Sequence, residues 1–272
     1  MKFAVVVGIN VFSVIDHSND LRGCVPDAQH VRARLLARGW PAGNIAYLTD
    51  AAARKPAVVD ALTAMLAAAH PGDHCVFFQS SHGTQVPDQD GDEADHLDEA
   101  ICYHGICEDW AGSIMTDDEF GAILAGAKFG VIVTVILDLC HAGSATRNMV
   151  PGYRRSRFVT APAAMPALPR HRFGRGWWGH SQRRRTGSVV IVPEMDHRLL
   201  AACRDNQTSA DTDIDGPCGA FTHFLLAAED RLRGECAGVV VTAVSRDLEA
   251  TGYEQRPVVE EPPRLSPLAV FA

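Results

Sequence analysis

The first apolar run of the chain constrains its fold more than any other feature. From Phe3 to Ile9 the residues are Phe, Ala, Val, Val, Val, Gly and Ile, with no polar alternation. A strand with one face in water alternates, whereas one covered on both faces does not, so residues 2–9 predict a buried parallel strand. The run is too short to span a bilayer. It also lacks the basic flank and small-residue cleavage site of a secretory signal. The expectation is a cytoplasmic chain with no membrane segment.

Comparable runs recur, separated by stretches of helical period. Residues 44–48, 74–79, 100–103, 131–137, 188–192, 199–203 and 268–271 read as strands. Residues 27–38 place Ala28, Val31, Leu35 and Leu36 on one helical face. Residues 56–69 read as an alanine-rich helix with Pro56 at its start. Thr116, Asp117 and Asp118 open a helix over 116–127, and residues 220–232 and 239–250 are helical in period. Strands alternating with helices predict an α/β fold with a mainly parallel central sheet flanked by helices. In such sheets reactive groups gather at the carboxyl ends of strands, here just after Ile9, Gln79, Leu137 and Cys203.

A length of 272 residues with 47% hydrophobic content suits one large domain or two small ones. The net charge of −8 hides an uneven distribution. Between Pro151 and Gly187 there are nine arginines and no acid, which leaves 16 basic against 33 acidic residues elsewhere. An acidic body of that kind argues against a nucleic-acid partner. Within Asp88–Glu99, seven of twelve residues are acidic. The eight cysteines contain no C-x-x-C pair, so free thiols in a reducing compartment are expected rather than a zinc site or a disulfide framework.

Two strand ends carry reactive side chains. Gln79-Ser80-Ser81-His82-Gly83 puts an imidazole beside a glycine, and Asp138-Leu139-Cys140-His141-Ala142-Gly143 puts a thiol at the end of the most apolar strand. Each alone is more often structural. Together, at corresponding ends of two strands, they suggest a Cys/His dyad in which the imidazole activates the thiol. Free amides at such turns suit a developing oxyanion. Asp138, two residues before Cys140, and Asp27, after the first strand's loop, both suit a pocket beside the nucleophile. A bland alternative makes Asp27 a helix cap.

These motifs resemble caspase-type cysteine peptidases, and most of all prokaryotic metacaspases. The resemblance runs through Val5–Asn10, Leu21–Ala28, Ser81–Gln85, Asp88–Ala100, Asp117–Glu119, Asp138–Gly143, Ala202–Asp211 and Gly219–Thr222, with His82 and Cys140 58 residues apart. It implies a caspase-haemoglobinase-like fold in a single peptidase domain over 1–272, with a large-subunit-like part over 1–150, an Arg-rich connecting loop over 151–187 and a small-subunit-like part over 188–272. It implies His82 as general base, Cys140 as nucleophile, and the amides of Gly83 and Cys140 as oxyanion donors. It further implies a pocket of Asp27, Asp138, Cys24 and Ser80 for Arg or Lys. An anionic pocket would reject the Asp that animal caspases take.

The resemblance also implies a calcium site at Asp98, Asp117 and Asp118, with calcium as an activator and not a requirement of the chemistry. The position of a further acid holds Arg147, which should weaken such a site. Asp88-x-Asp90-x-Asp92 and Asp211-x-Asp213-x-Asp215-Gly216 fit an EF-hand loop only in part, the second because Thr222 replaces the bidentate Glu. A basic-specific enzyme would find self-cleavage targets in its own loop at Arg154, Arg155, Arg157, Arg170, Arg172, Arg175, Arg183, Arg184 and Arg185. The alternative for that loop is a solvated segment bound to the protein's acidic face. The expected function is endopeptidase cleavage after Arg or Lys, by a monomer acting on protein or peptide substrates. The alternatives are a protease dedicated to one partner in a bacterial defence or cell-death pathway, and a catalytically silent scaffold.

Overall fold

A computed structural model describes residues 1–88, 96–140, 154–163, 168, 188–192, 195–204 and 207–272. The first half runs β1 (Lys2–Gly8), α1 (Cys24–Ala37), β2 (Ile45–Thr49), α2 (Lys55–Ala68) and β3 (His74–Ser80). It continues through β4 (Gly83–Pro87), β5 (Leu97–Cys102), β6 (Ile114–Thr116), α3 (Asp117–Leu124) and β7 (Ile132–Asp138). The second half runs β8 (Arg154–Ser156), β9 (Val189–Ile191), β10 (Arg198–Ala201), β11 (Ala210–Asp213) and β12 (Pro217–Gly219). It ends with α4 (Ala220–Arg231), α5 (Ala237–Ala250) and β13 (Val258–Glu261).

The apolar runs become the central sheet, ordered β2-β1-β3-β7-β10-β13-β9. Its strands are parallel from β2 through β10, β13 is antiparallel to β10, and β9 is parallel to β13. Alternate residues of each strand face opposite sides, so one run feeds two cores. Val5, Val7, Phe77, Val133 and Val135 meet Val58 and Leu62 of α2 and Phe120 of α3. Val6, Phe78, Ile136 and Leu200 meet Val31 of α1, Phe221 of α4 and Val240 of α5. Both faces are covered, as the unbroken hydrophobicity of β1 predicts.

The register of the parallel strands places the site. Gly8 pairs with Ser80, and Ser80 with Asp138, so the carboxyl ends of β1, β3 and β7 lie in one row. A Cβ on Gly8 would stand 2.3 Å from the Cys24 carbonyl oxygen, so the bare backbone there lets α1 start directly against the strand end.

One expectation changes. Residues 268–271 form no strand, and only an isolated bridge joins Ala269 to Cys236. The strand that fills the sheet is β13, whose Glu261 is fully buried and accepts from Arg198 Nε at 2.5 Å. A buried cation opposite makes an acidic residue acceptable in a core strand. The Asp211–Gly216 run is a β-hairpin, not a calcium loop: β11 and β12 pair antiparallel, and Asp215 and Gly216 turn with φ of 54° and 113°. No helix among the described residues is long and apolar enough to cross a membrane, and all eight cysteines are free thiols.

Candidate active site

His82 and Cys140 stand where β3 and β7 end, both buried. His82 Nε2 lies 2.7 Å from the backbone oxygen of Asn19. A carbonyl only accepts, so Nε2 carries the proton and Nδ1 keeps its lone pair. Nδ1 has no hydrogen-bond partner among the described residues. The Phe12 ring packs against the imidazole at 4.7 Å between centroids. Burial pushes the imidazole pKa down to about 4, and burial pushes the Cys140 thiol up to about 11. Both groups are therefore neutral at pH 7. A neutral thiol and imidazole acting as a dyad would move the proton as the sulfur attacks, rather than rest as a thiolate–imidazolium pair.

Asp27, Asp138, Ser80 and Cys24 come together beside this dyad, as the sequence suggests, and a third carboxylate joins them. The side chain at their centre is Arg157, fully buried. Its Nη1 donates to Ser80 Oγ at 2.7 Å and to the Asp138 carbonyl at 3.0 Å, and stands 3.0 Å from Asp138 Oδ1. Its Nη2 donates to Asp27 Oδ2 at 2.8 Å and to Asp211 Oδ1 at 3.0 Å. Ser80 Oγ in turn donates to Asp27 Oδ2 at 2.9 Å.

Helix starts hold these carboxylates in place. Asp138 Oδ2 accepts from the amide and hydroxyl of Thr222, in the first turn of α4, at 3.0 and 2.6 Å. Asp138 Oδ1 accepts from Ser209 Oγ at 2.7 Å. Asp27 accepts from the amide of Gly219, the residue capping α4, at 2.9 Å. Asp211 accepts from the amides of Arg22 and Gly23, leading into α1, at 2.9 Å each. Unpaired amides at a helix start, with the helix dipole, favour negative charge there. Three acids still face one guanidinium, and burial raises the Asp27 pKa to about 6, with Arg157 pulling down and Asp138 pushing up. Gly219 is required sterically, since a Cβ would stand 2.2 Å from Asp138 Oδ2 and 2.5 Å from Arg157 Nη1. Asp27 does not cap α1, whose cap is Gly23 without a side-chain bond.

Arg157 brings its backbone to the dyad as well. Its carbonyl oxygen accepts from the Gly83 amide at 2.9 Å and from the Cys140 amide at 3.4 Å, and its own amide donates to the Ser209 oxygen at 3.1 Å. Just before it, Ser156 Oγ lies 3.5 Å from Cys140 Sγ. Beyond it, the Val159 amide donates to the Gly83 oxygen at 3.0 Å. The arrangement can polarise one peptide carbonyl, that of Arg157, between two amides while a thiol stands beside the same stretch of backbone.

Several contributors escaped the sequence reading. Asp211, Ser209 and Thr222 lie in segments that carry the family resemblance, but none has a site role there, and nothing local distinguishes Asn19. Of the nine loop arginines, Arg154, Arg155 and Arg157 are described, while Arg170, Arg172, Arg175, Arg183, Arg184 and Arg185 lie outside the described residues. Asp98 lies on β5 and Asp117 and Asp118 open α3, all buried. Among the described residues no group of three His, Cys, Asp or Glu side chains is arranged to hold a metal ion. Residues 89–95 and 141–150, which flank these positions in the chain, lie outside the described residues.

The sequence model of the family described as Caspase domain matches residues 1–265. The chain belongs to this caspase family of cysteine peptidases. Among curated proteins its relatives are metacaspases. Metacaspase-1 of Cryptococcus neoformans is 29% identical over 94% of this chain and 61% of its own length. Metacaspase-1A of Aspergillus oryzae is 34% identical over 93% and 66%, and Metacaspase-2 of Arabidopsis thaliana 29% identical over 89% and 55%. The chain thus spans about three fifths of the length of these relatives. A Geobacter sulfurreducens protein of known crystal structure matches with a TM-score of 0.70 and 25% identity, covering 100% of this chain and 98% of that one.

Proposed function

We propose that the chain is a cysteine endopeptidase that cuts after arginine or lysine, and that its first substrate is its own Arg157–Phe158 bond. One observation carries this reading. A peptide arginine sits in the anionic pocket while its carbonyl accepts from the amides of Gly83 and Cys140. In the reaction, Cys140 Sγ bonds to the Arg157 carbonyl carbon as its proton passes to His82 Nδ1. Asn19 keeps the ring in the required tautomer, and the Gly83 and Cys140 amides hold the oxyanion. The carbon–nitrogen bond to Phe158 then breaks, and His82 returns the proton to the departing amine. Water, deprotonated by His82, hydrolyses the thioester and releases the Arg157 carboxylate. Once residues 154–157 leave, the pocket takes an arginine or lysine from another protein or peptide. The chemistry uses protein groups alone, and eight free thiols suit a cytoplasmic setting.

Incubating the purified chain should yield two fragments, one ending at Arg157 and one starting at Phe158, identified by intact mass. Cys140→Ala should stay whole. Fragments from the Cys140→Ala chain, or none from the parent, would sink the self-cleavage. Fluorogenic peptides ending in Arg, Lys or Asp, assayed with calcium and with a chelator, test the trans activity. Rates indifferent to both additions would leave Asp98, Asp117 and Asp118 a structural role.

The pocket predicts an acid limb in that assay. Asp27 has a pKa raised to about 6 with a guanidinium beside it, so in the emptied pocket it lies higher still. Protonating it removes attraction for a cationic side chain, so kcat/KM on Arg peptides should fall as pH drops through the free enzyme's Asp27 pKa, above about 6. The loss should appear in KM. A profile flat down to about pH 5 would take Asp27 out of cation recognition.

A further inference from the structure

Residues 154–156 extend from the pocket as β8, antiparallel to β11, with Ser156 opposite Ala210, Arg155 opposite Asp211 and Arg154 opposite Thr212. Strand addition to a sheet edge is a common way for an extended peptide to bind, with backbone bonds supplying affinity and side-chain sites supplying specificity. Here both outer side chains have defined partners. Arg155 Nη1 donates to the Asp20 carbonyl at 2.6 Å, and Nη2 donates to the Ser18 carbonyl. The Arg154 guanidinium lies 3.9 Å from the centroid of the Tyr253 ring and donates to the Gly252 carbonyl at 3.3 Å. The Tyr253 hydroxyl is held at 2.8 Å from Thr212 Oγ1, on the strand that Arg154 pairs with.

We propose that residues 154–157 trace the substrate subsites S4 to S1, and that the enzyme selects extended basic peptides with arginine at P4, P3 and P1. The proposal rests on the peptidase reading above and deepens it. Subsite S3 is the pair of carbonyls from Ser18 and Asp20, which accept a guanidinium fork and offer nothing to a carboxylate. Subsite S4 is the face of Tyr253, whose π-electrons attract a cation. The two sites act differently. Ser18 and Asp20 flank Asn19, whose carbonyl holds His82 Nε2 at 2.7 Å. An arginine at P3 therefore clamps the segment that orients the base, and it acts on kcat as well as KM. Tyr253 touches no dyad residue and acts on KM alone.

The test uses the self-processed enzyme and four fluorogenic peptides: Arg-Arg-Ser-Arg, Ala-Arg-Ser-Arg, Arg-Ala-Ser-Arg and Ala-Ala-Ser-Arg. Removing the P4 arginine should cost about 3- to 10-fold in kcat/KM, through KM. Removing the P3 arginine should cost about 10-fold or more, with kcat contributing. In Tyr253→Leu, which keeps apolar bulk, the Arg-to-Ala preference at P4 should collapse toward one while that at P3 persists. Equal cleavage of all four peptides would overturn the subsites and leave the peptidase reading standing. Cleavage of none would overturn that reading and the subsites with it. The wild-type panel decides the question even if Tyr253→Leu fails to fold.

Discussion

In the Cys140→Ala chain, which keeps the Arg157–Phe158 bond whole, Arg157→Ala is expected to lower stability by about 3–5 kcal/mol, as removing one partner of a buried ion pair does, and to make the loss grow as pH rises. The guanidinium stands among Asp27, Asp138 and Asp211, each 1% exposed or less. Without it the three carboxylates face one another in the core. The Asp27 pKa is already raised to about 6 by burial, against the pull of Arg157, and losing that pull raises it further. A carboxyl whose folded pKa exceeds its unfolded value of about 4 contributes most to stability below that value, and the contribution is lost as pH rises through the folded pKa. The variant should thus differ least from the parent near pH 4 and most above about pH 7. Free arginine or benzamidine should restore much of the lost Tm at high pH, because each can fill the pocket of the folded chain alone. Urea denaturation across pH measures the first two effects, and thermal melts with and without arginine measure the third. A variant as stable as its parent at pH 8 would show that Arg157 is not what neutralises this pocket.

The second large effect is expected from Asp138→Asn, which should cost the enzyme about 10²- to 10³-fold in kcat/KM on Arg peptides, from the value of a buried charged pair. Every neighbour of the Asp138 carboxylate is a donor: Ser209 Oγ, the Thr222 amide and hydroxyl, and the guanidinium. An asparagine has one acceptor oxygen and an NH₂ group, so one side must point donor at donor whichever way it is flipped. The loss is therefore of geometry as well as charge. It should appear in KM on Arg and Lys peptides and in slower appearance of the Arg157 and Phe158 termini. A change under about threefold would mean that Asp27 and Asp211 alone recognise the cation.

Much of this arrangement was legible in the sequence because it is local. Unbroken apolar runs mark strands with two covered faces, and the row Gly8, Ser80 and Asp138 follows from the carboxyl ends of those strands. His82, Gly83 and Cys140 sit at such ends, and Asp27 and Asp138 stand close to them in the chain. Residues 258–261 were not legible as a strand, since Glu260 and Glu261 look solvated until Arg198 is brought against Glu261 from a strand sixty residues earlier. Asp211 was not legible either: its alternating acidic run fits a metal loop only in part, and only the hairpin turn at Asp215 and Gly216 makes it a strand whose first acid faces inward.

The sequence by itself determined the parallel strands of the sheet and which residues stand at their carboxyl ends, because hydrophobic period is a property of short segments. Nine arginines in an acid-free loop were equivalent on that basis. Tertiary structure alone distinguished Arg157, by laying residues 154–157 along β11 and setting one guanidinium among carboxylates drawn from three distant segments. A pocket of that kind depends on which helix starts face which strand ends, and no local pattern of residues encodes that meeting.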